Sequence, residues 1–441
     1  MTAPYSRRGF LAQSALGGAA LAAGAQRLDA AAAALGRPLR VGFVGVGDRG
    51  SYHLDVCLGN DSVEVPALCD IDAAYLHRAK RWVEEAGKPT PELYDRGDTD
   101  FLRLCEREDL DLVVTSTPWE WHTPVCVAAM RAGKHAATEV PAGLTVDECW
   151  DLVETSEKTG KHCVMLEQVN YSRRTLLILQ MARAGLFGEL LHAAGGYVHD
   201  LRLVKFDPER EPWRLQHSID RNGNLYPTHP MGPIAWWLDL ARGDNFDYLV
   251  SMSSKAMCLN EYAEHFYGEK HPYATAPMAQ GDVNTTLLRT KEGRTVTLHF
   301  DTNTPHPQTS EIRLQGVKGH YSGNLQSVYL EGRSPQPHHW EPLENYEQEY
   351  DHPLWRDLNP ESYRSARGHG GGLTTPVMWR RLIEALRAGK DPDMDVYDAA
   401  IWSAISPLTE KSVAVKSRSV DFPDFTRGRW QQRKPVQLVD G

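Results

Sequence analysis

The sequence predicts an α/β chain: a doubly wound parallel sheet first, then an α+β half whose sheet is open and largely antiparallel. Three observations carry this. The stretch from Leu39 to Val44 is apolar and β-branched, as a buried strand is, and three glycines follow it at G-x-G-x-x-G spacing. From there to Leu166, short apolar runs alternate with helical periodicity, the pattern of a parallel sheet. After Tyr171 the runs lengthen and are separated by turn chemistry such as Lys291-Glu292-Gly293, the pattern of an antiparallel or mixed sheet covered on one face.

In chain order, residues 1–25 read as a targeting segment. Ser6-Arg7-Arg8-Gly9-Phe10-Leu11 has the twin-arginine export form, and the Ala/Leu/Gly stretch from Ala12 to Ala25 is too short and weakly apolar to anchor in a membrane. The Tat export machinery is therefore an expected partner, and the expected location is periplasmic or secreted. No later run is long and apolar enough for a stable membrane span. Residues 26–37 form a linker. A formal charge of −10 and a pI near 6.0 give nothing that points to nucleic acid. The seven cysteines lack C-x-x-C pairs, so neither a disulfide framework nor a zinc ribbon is indicated.

The first domain covers 38–168 and reads as a Rossmann dinucleotide fold. After the first strand, Gly45 permits a tight turn and Gly47 lets the backbone approach a pyrophosphate. Gly50 lets the next helix, over 51–58, pack close with its amides toward the phosphates. A second strand over 63–70 ends in Asp70, about twenty residues past the last glycine, where a ribose-binding acid is expected. Asp70 beside Asp72 would repel a 2′-phosphate, so NAD is the expected cofactor. A helix over 73–86 follows. A third strand over 111–117 is stopped by Pro118, and a helix over 124–132 is ended by Gly133. A fourth strand over 135–139 is closed by Pro141. A helix over 146–159 is ended by Gly160, and a fifth strand covers 162–166.

The second domain, 169–441, opens with a helix over 175–184. Strand runs follow at 190–199, 248–257, 285–289, 295–301 and 311–315. Residues 335–367 are rich in Pro, His, Glu and Tyr without period and read as a long loop. Late helices cover 378–388 and 396–412 and are expected to pack back on the first domain. Trp236 and Trp237 read as core. His306, His338 and His339 lack a liganding frame, so no metal is expected.

The glycine fingerprint, Thr117-Pro118 with His122 after it, Ala132-Gly133-Lys134-His135 and Glu139-Val140-Pro141 together resemble the Gfo/Idh/MocA oxidoreductase family. A narrower resemblance is to glycoside hydrolase family 109. It rests on Trp119-Glu120-Trp121-His122, Met165-Leu166-Glu167, Gly196-Tyr197-Val198-His199-Asp200-Leu201-Arg202 and Gly223-Asn224-Leu225-Tyr226-Pro227-Thr228-His229. Arg242-Gly243-Asp244, the stretch from Phe246 to Ser254, and Asp424-Phe425-Thr426-Arg427-Gly428 carry it further. That resemblance implies an NAD-dependent glycosidase acting on α-linked N-acetylgalactosamine. Its reaction is a transient oxidation at sugar carbon 3, elimination of the glycosidic oxygen, water addition and re-reduction. This differs from hydrolysis between two flanking carboxylates.

The same resemblance places cofactor contacts at Asp48, Arg49, Asp70, Trp119, Glu120, Trp121, His122, Glu139, Val140 and Gln168. It places substrate contacts at Tyr197, Arg214, Tyr226, Pro227, Thr228 and His229. For proton transfer we expect His229 and Tyr171: imidazole titrates near neutrality, and a phenol serves as a base once its pKa is depressed. The departures are Val140 for the oxidoreductase lysine, Asp48 and Gln168 for asparagines, Pro230-Met231 for Gly-Leu, and Gln308 for a substrate-side tyrosine. Two other readings remain open at this stage: a sugar dehydrogenase with external cofactor turnover, and a non-catalytic sugar-binding protein on the same fold. A homo-oligomer is compatible with either.

Overall fold

The computed structural model describes residues 35–356, 358 and 372–438. The twin-arginine segment and most of the linker lie outside the described residues. The first sheet is six-stranded, parallel throughout, and ordered β3-β2-β1-β4-β5-β6. Its strands are β1 (Leu39–Val44), β2 (Val63–Cys69), β3 (Glu92–Tyr94), β4 (Leu112–Thr115), β5 (His135–Thr138) and β6 (Cys163–Met165). Helices α1 (Asp48–Leu58), α2 (Ala73–Glu85), α3 (Phe101–Cys105), α4 (His122–Arg131) and α5 (Val146–Thr159) connect them.

Strand order reverses between β1 and β4, which opens a crevice at their carboxyl ends. Local chemistry sets the helix ends. Asp72 caps α2 by accepting from the Ala74 and Tyr75 amides, and a Thr145–Glu148 capping box starts α5. Gly160 ends α5 in the left-handed conformation. The sequence reading contains no β3: three residues, with Glu92 exposed and only Tyr94 buried, carry too little periodicity.

The second sheet has nine strands in the order β14-β13-β12-β11-β7-β10-β9-β8-β15. They are β7 (Leu190–Val198), β8 (Phe246–Ser253), β9 (Asn284–Thr290), β10 (Thr295–Asp301), β11 (Arg313–Gly316), β12 (Gly319–Ser322), β13 (Ser327–Leu330), β14 (Glu341–Pro342) and β15 (Val420–Asp421). Only β7 and β10 pair in parallel; every other ladder is antiparallel. Helices α6 (Arg173–Arg183), α7 (Arg202–Phe206), α8 (Trp213–Asp220), α9 (Thr228–Trp237), α10 (Cys258–Tyr267) and α11 (Pro272–Thr275) fall between the early strands. Helix α9 lies on β7 at close range: a Cβ on Gly195 would come 2.7 Å from the Pro230 Cβ. Trp236 and Trp237 are buried in α9, as core residues.

Of the stretch 335–367, read as a long loop, residues 335–356 are more ordered than their composition suggests, and apart from 358 the remainder lies outside the described residues. The ordered part holds β14, paired to β13, then α12 (Glu347–Tyr350) and α13 (Pro353–Arg356). Leu343 and Tyr346 bury themselves there and anchor an otherwise polar segment. Helix α14 (Thr374–Ala388) then packs on α1 and β1, and α15 (Val396–Ala414) on α5, β6 and β8. Trp379 and Trp402 are fully buried at these contacts. Among the described residues no helix is long and apolar enough to cross a membrane, and no group of three or more His, Cys, Asp or Glu is disposed to hold a metal ion.

Candidate active site

A cleft of ≈ 1730 Å³ runs from the carboxyl ends of β1 and β2 to the covered face of β7. At its first end the three glycines do distinct work. Gly45 has φ +81°, and a Cβ there would come 2.9 Å from the Ser116 carbonyl. A Cβ on Gly50 would fall 2.0 Å from the Gly45 oxygen. Gly47 meets no such clash; the nearest atom to its Cβ position is in the Tyr75 ring at 3.6 Å. Its Cβ would instead fill space beside the start of α1, whose N-cap provides no side-chain acceptor. An open glycine beside uncapped helix amides fits a pyrophosphate.

Asp70 lines this end. Its carboxylate accepts from the Val46 amide at 2.7 Å and the Asp72 amide at 2.9 Å, which fixes its position in the cleft lining. Burial pushes its pKa up against those amide donors. The residues present therefore fit a dinucleotide whose ribose hydroxyls meet an acid.

Midway, Glu139 follows β5. Its Oε1 accepts from Arg49 Nε at 2.6 Å and His53 Nε2 at 2.7 Å, and its Oε2 from the Val140 amide at 3.1 Å. Burial alone would raise its pKa, but Arg49 and His53 hold the carboxyl well below the ordinary range. Arg49 also donates to Gln168 Oε1 at 3.0 Å, so Arg49, Glu139 and Gln168 form one cluster. Val140, at the position of the oxidoreductase lysine, is buried and apolar.

At the far end, His229 sits in the first turn of α9. Its Nδ1 lies 2.9 and 2.8 Å from the two carboxylate oxygens of Glu167, which is fully buried just past β6. Aromatic rings surround His229: Tyr226 at 5.1 Å and Tyr197 at 5.6 Å between centroids. Trp119 stacks on Tyr226 at 5.5 Å and meets Trp213 edge-on at 5.0 Å. Arg214 lies over Trp119, Trp213 and Tyr226 and pairs with Glu211. Burial raises the phenol pKa values of Tyr197 and Tyr226 against the lowering effect of Arg214, so both stay protonated donors.

The structure brings most of the sequence-expected residues to one surface. Gly45, Gly47, Asp48, Arg49, Asp70, Trp119, Trp121, His122, Glu139, Val140, Gln168, Tyr197, Arg214, Tyr226 and His229 all line the cleft, with Pro230 and Gln308. Five expected residues do not: Gly50, Glu120, Tyr171, Pro227 and Thr228. Gly50 works by packing and Glu120 is exposed. Pro227 is the N-cap of α9, and Thr228 is buried in its first turn.

Tyr171 is the substantive correction. Its ring is buried edge-on against Trp236 at 5.4 Å, and its hydroxyl donates to Asp393 Oδ2 at 3.0 Å. Burial and Asp393 push its pKa up, the opposite of what a base requires. It fills the domain junction. His122 lies in the cleft wall, but its two ring nitrogens sit 2.6 Å from the Pro141 oxygen and 2.9 Å from the Thr117 oxygen, tying two loops together. Three residues were given no role from sequence: Glu167, His53 and Trp379. Only Glu167 left a signal, an acid directly after the apolar fifth strand.

The fold and cradle define a class, the NAD-binding Rossmann oxidoreductases. Residues 39–167 match the model of the oxidoreductase family with an NAD-binding Rossmann fold. Among solved structures, levoglucosan dehydrogenase in complex with NADH and levoglucosan superposes with a TM-score of 0.67 at 19% identity, covering 88% of this chain and 100% of that one. An inositol dehydrogenase homolog complexed with NAD⁺ from Azotobacter vinelandii gives 0.65 at 18%, covering 89% and 99%. Residues 171–432 match the glycosyl hydrolase 109 C-terminal domain. The chain is 42% identical over 406 residues to glycosyl hydrolase family 109 proteins of Shewanella sp. (strain W3-18-1) and Shewanella baltica (strain OS155 / ATCC BAA-1091), spanning 91% of this chain and 88% of each. The protein belongs to glycosyl hydrolase family 109.

Proposed function

We propose that this protein is an exported NAD-dependent glycosidase, with α-N-acetylgalactosaminides as its first candidate substrates. The observation that carries the reading is that one cleft holds a dinucleotide cradle at one end and the Glu167-anchored His229 at the other. NAD bound in the cradle supplies reversible hydride acceptance from a sugar carbon.

The chain's own residues do the rest. A carboxylate only accepts hydrogen bonds, so Nδ1 of His229 carries a proton, and in the neutral ring the lone pair is then on Nε2. Nε2 takes the proton next to the oxidised carbon and returns it later, while Glu167 stabilises the imidazolium in between. Tyr197 and Tyr226 donate toward an oxygen that gains negative charge, and Arg214 adds positive charge. The half-buried Trp213, edge-on to the buried Trp119, gives the cleft an aromatic wall beside which a sugar ring packs. The apolar Val140 removes the lysine that assists net alcohol oxidation in the resembled oxidoreductases, which favours hydrolysis over dehydrogenation. Arg7-Arg8 ahead of a weakly apolar stretch supports export of the folded, cofactor-loaded enzyme.

The test is incubation of cofactor-loaded protein with nitrophenyl α- and β-glycosides, N-acetylgalactosaminides first, reading phenol release and 340 nm absorbance together. Phenol release without net NADH is the expected result. Net NADH makes it a dehydrogenase. Neither signal across a broad sugar panel makes it a binding protein.

A further inference from the structure

Glu139 is held from the α1 side as well as from the cleft, through His53. His53, on α1, is completely buried, and among the described residues its carboxylate partner is Glu139. Its second nitrogen, Nδ1, lies 2.8 Å from the indole Nε1 of Trp379, and the two rings meet edge-on at 5.8 Å. An indole N–H only donates, so Nδ1 is the acceptor and carries no proton. The proton of the neutral ring is therefore on Nε2, and it is donated to Glu139 Oε1 at 2.7 Å. Burial, with Arg49 nearby, pushes the imidazole pKa down, which keeps the ring neutral and the tautomer single.

Trp379 belongs to α14, from the second half of the chain. That helix is fastened to the first domain at both ends: Tyr52 donates to the Gly372 oxygen at 2.7 Å, and Arg387 donates to Ser62 Oγ at 2.8 Å. The chain Trp379→His53→Glu139 thus runs from a late helix, through α1, to a carboxylate in the cofactor half of the cleft. With Arg49 and His53 both on Oε1, the face of Glu139 left toward the cleft is set by these two donors.

We propose that Trp379 and His53 are positioning residues for cofactor retention, a relay by which the C-terminal helix holds Glu139 in its NAD-binding orientation. The proposal concerns grip on the dinucleotide and stands whichever sugar reaction the enzyme performs. A glycosidase that returns its hydride each turn gains from a cofactor that does not leave, and a hydrogen bond ordered from another domain slows departure.

The test reads NAD release from purified holoenzyme, after desalting into an enzymatic NAD scavenger, as retained NAD against time. Three variants are compared on fractions with wild-type circular dichroism. Trp379→Phe keeps an aromatic ring but loses the indole donor. His53→Phe removes the donor to Glu139. His53→Gln restores an N–H at the Nε2 position. Trp379→Phe and His53→Phe are expected to release NAD about tenfold faster or more, with His53→Gln within about threefold of wild type. Wild-type retention in Trp379→Phe and His53→Phe would overturn the relay. So would release from His53→Gln as fast as from His53→Phe, because packing alone would then explain the loss.

Discussion

The carboxylate of Glu167 straddles Nδ1 of His229, with its oxygens 2.9 and 2.8 Å away, and its Oε1 also accepts the Val169 amide at 3.1 Å. The approach depends on Gly232, one turn further along α9. A Cβ there would come 2.8 Å from Glu167 Cγ and 2.0 Å from Asn170 Oδ1. The glycine lets the helix settle onto the acid, and the acid orients the ring. Helix α9 therefore holds His229 against the cleft as a rigid part of the scaffold.

If His229 handles the proton, His229→Ala lowers kcat by about 10²-fold or more. NAD content stays near wild type, because the cradle is built by β1, α1 and β2. Single-turnover glycoside cleavage together with NAD released on denaturation checks both halves. Normal turnover, or loss of cofactor in step with activity, would return His229 to a structural role.

Glu167→Gln keeps the shape and an acceptor for Nδ1–H but removes the charge that stabilises an imidazolium. The expected result is a kcat lower by about tenfold or more with little change in KM. ¹⁵N shifts of the His229 ring should report mixed tautomers in place of one, since an amide can also donate to Nδ1. An unchanged kcat would show that the pair serves packing alone.

Lys205 makes a pH prediction. It is fully buried and donates to Ser218, Thr302 and Asn303, with no carboxylate among these partners. Burial lowers its pKa from the ordinary 10.5 to about 7. Between those two values the unfolded chain holds the proton and the folded chain does not, so raising the pH favours the fold. Relative to Lys205→Met, wild type should gain stability from about pH 7 to about pH 10 and show no difference in slope below pH 7. The slope is at most about 1.4 kcal/mol per pH unit. Thermal melts of both proteins across that range check it; parallel curves would refute it.

Replacing Arg7 and Arg8 with Lys should trap the protein in the cytoplasm, folded and loaded with NAD. Fractionation with an NAD assay on each compartment reads the outcome. Export of the doubly substituted chain at the normal level would end the twin-arginine reading.

Sequence alone determined the two-sheet class of the fold and placed the glycines and Asp70 at one end of the cleft. The apolar run of β1, the glycine spacing and Asp70 are legible because each demand is local: a buried strand, a backbone turn, a helix start within a few residues. His229 and Tyr226 are expected in the site through a stretch of chain that resembles its family closely, and both line the cleft.

Only the tertiary structure decided what each polar side chain touches. Glu167 reaches His229 across 62 residues, His53 reaches Glu139 across 86, and Trp379 reaches His53 across 326. Tyr171 looked like a base until Asp393, 222 residues on, proved to hold its hydroxyl. The difference is physical. Periodicity records which face of an element is buried, and glycine records where the backbone must turn. A buried hydrogen bond instead depends on two groups meeting within 3 Å after separate elements have packed, and no local pattern in either one encodes that distance.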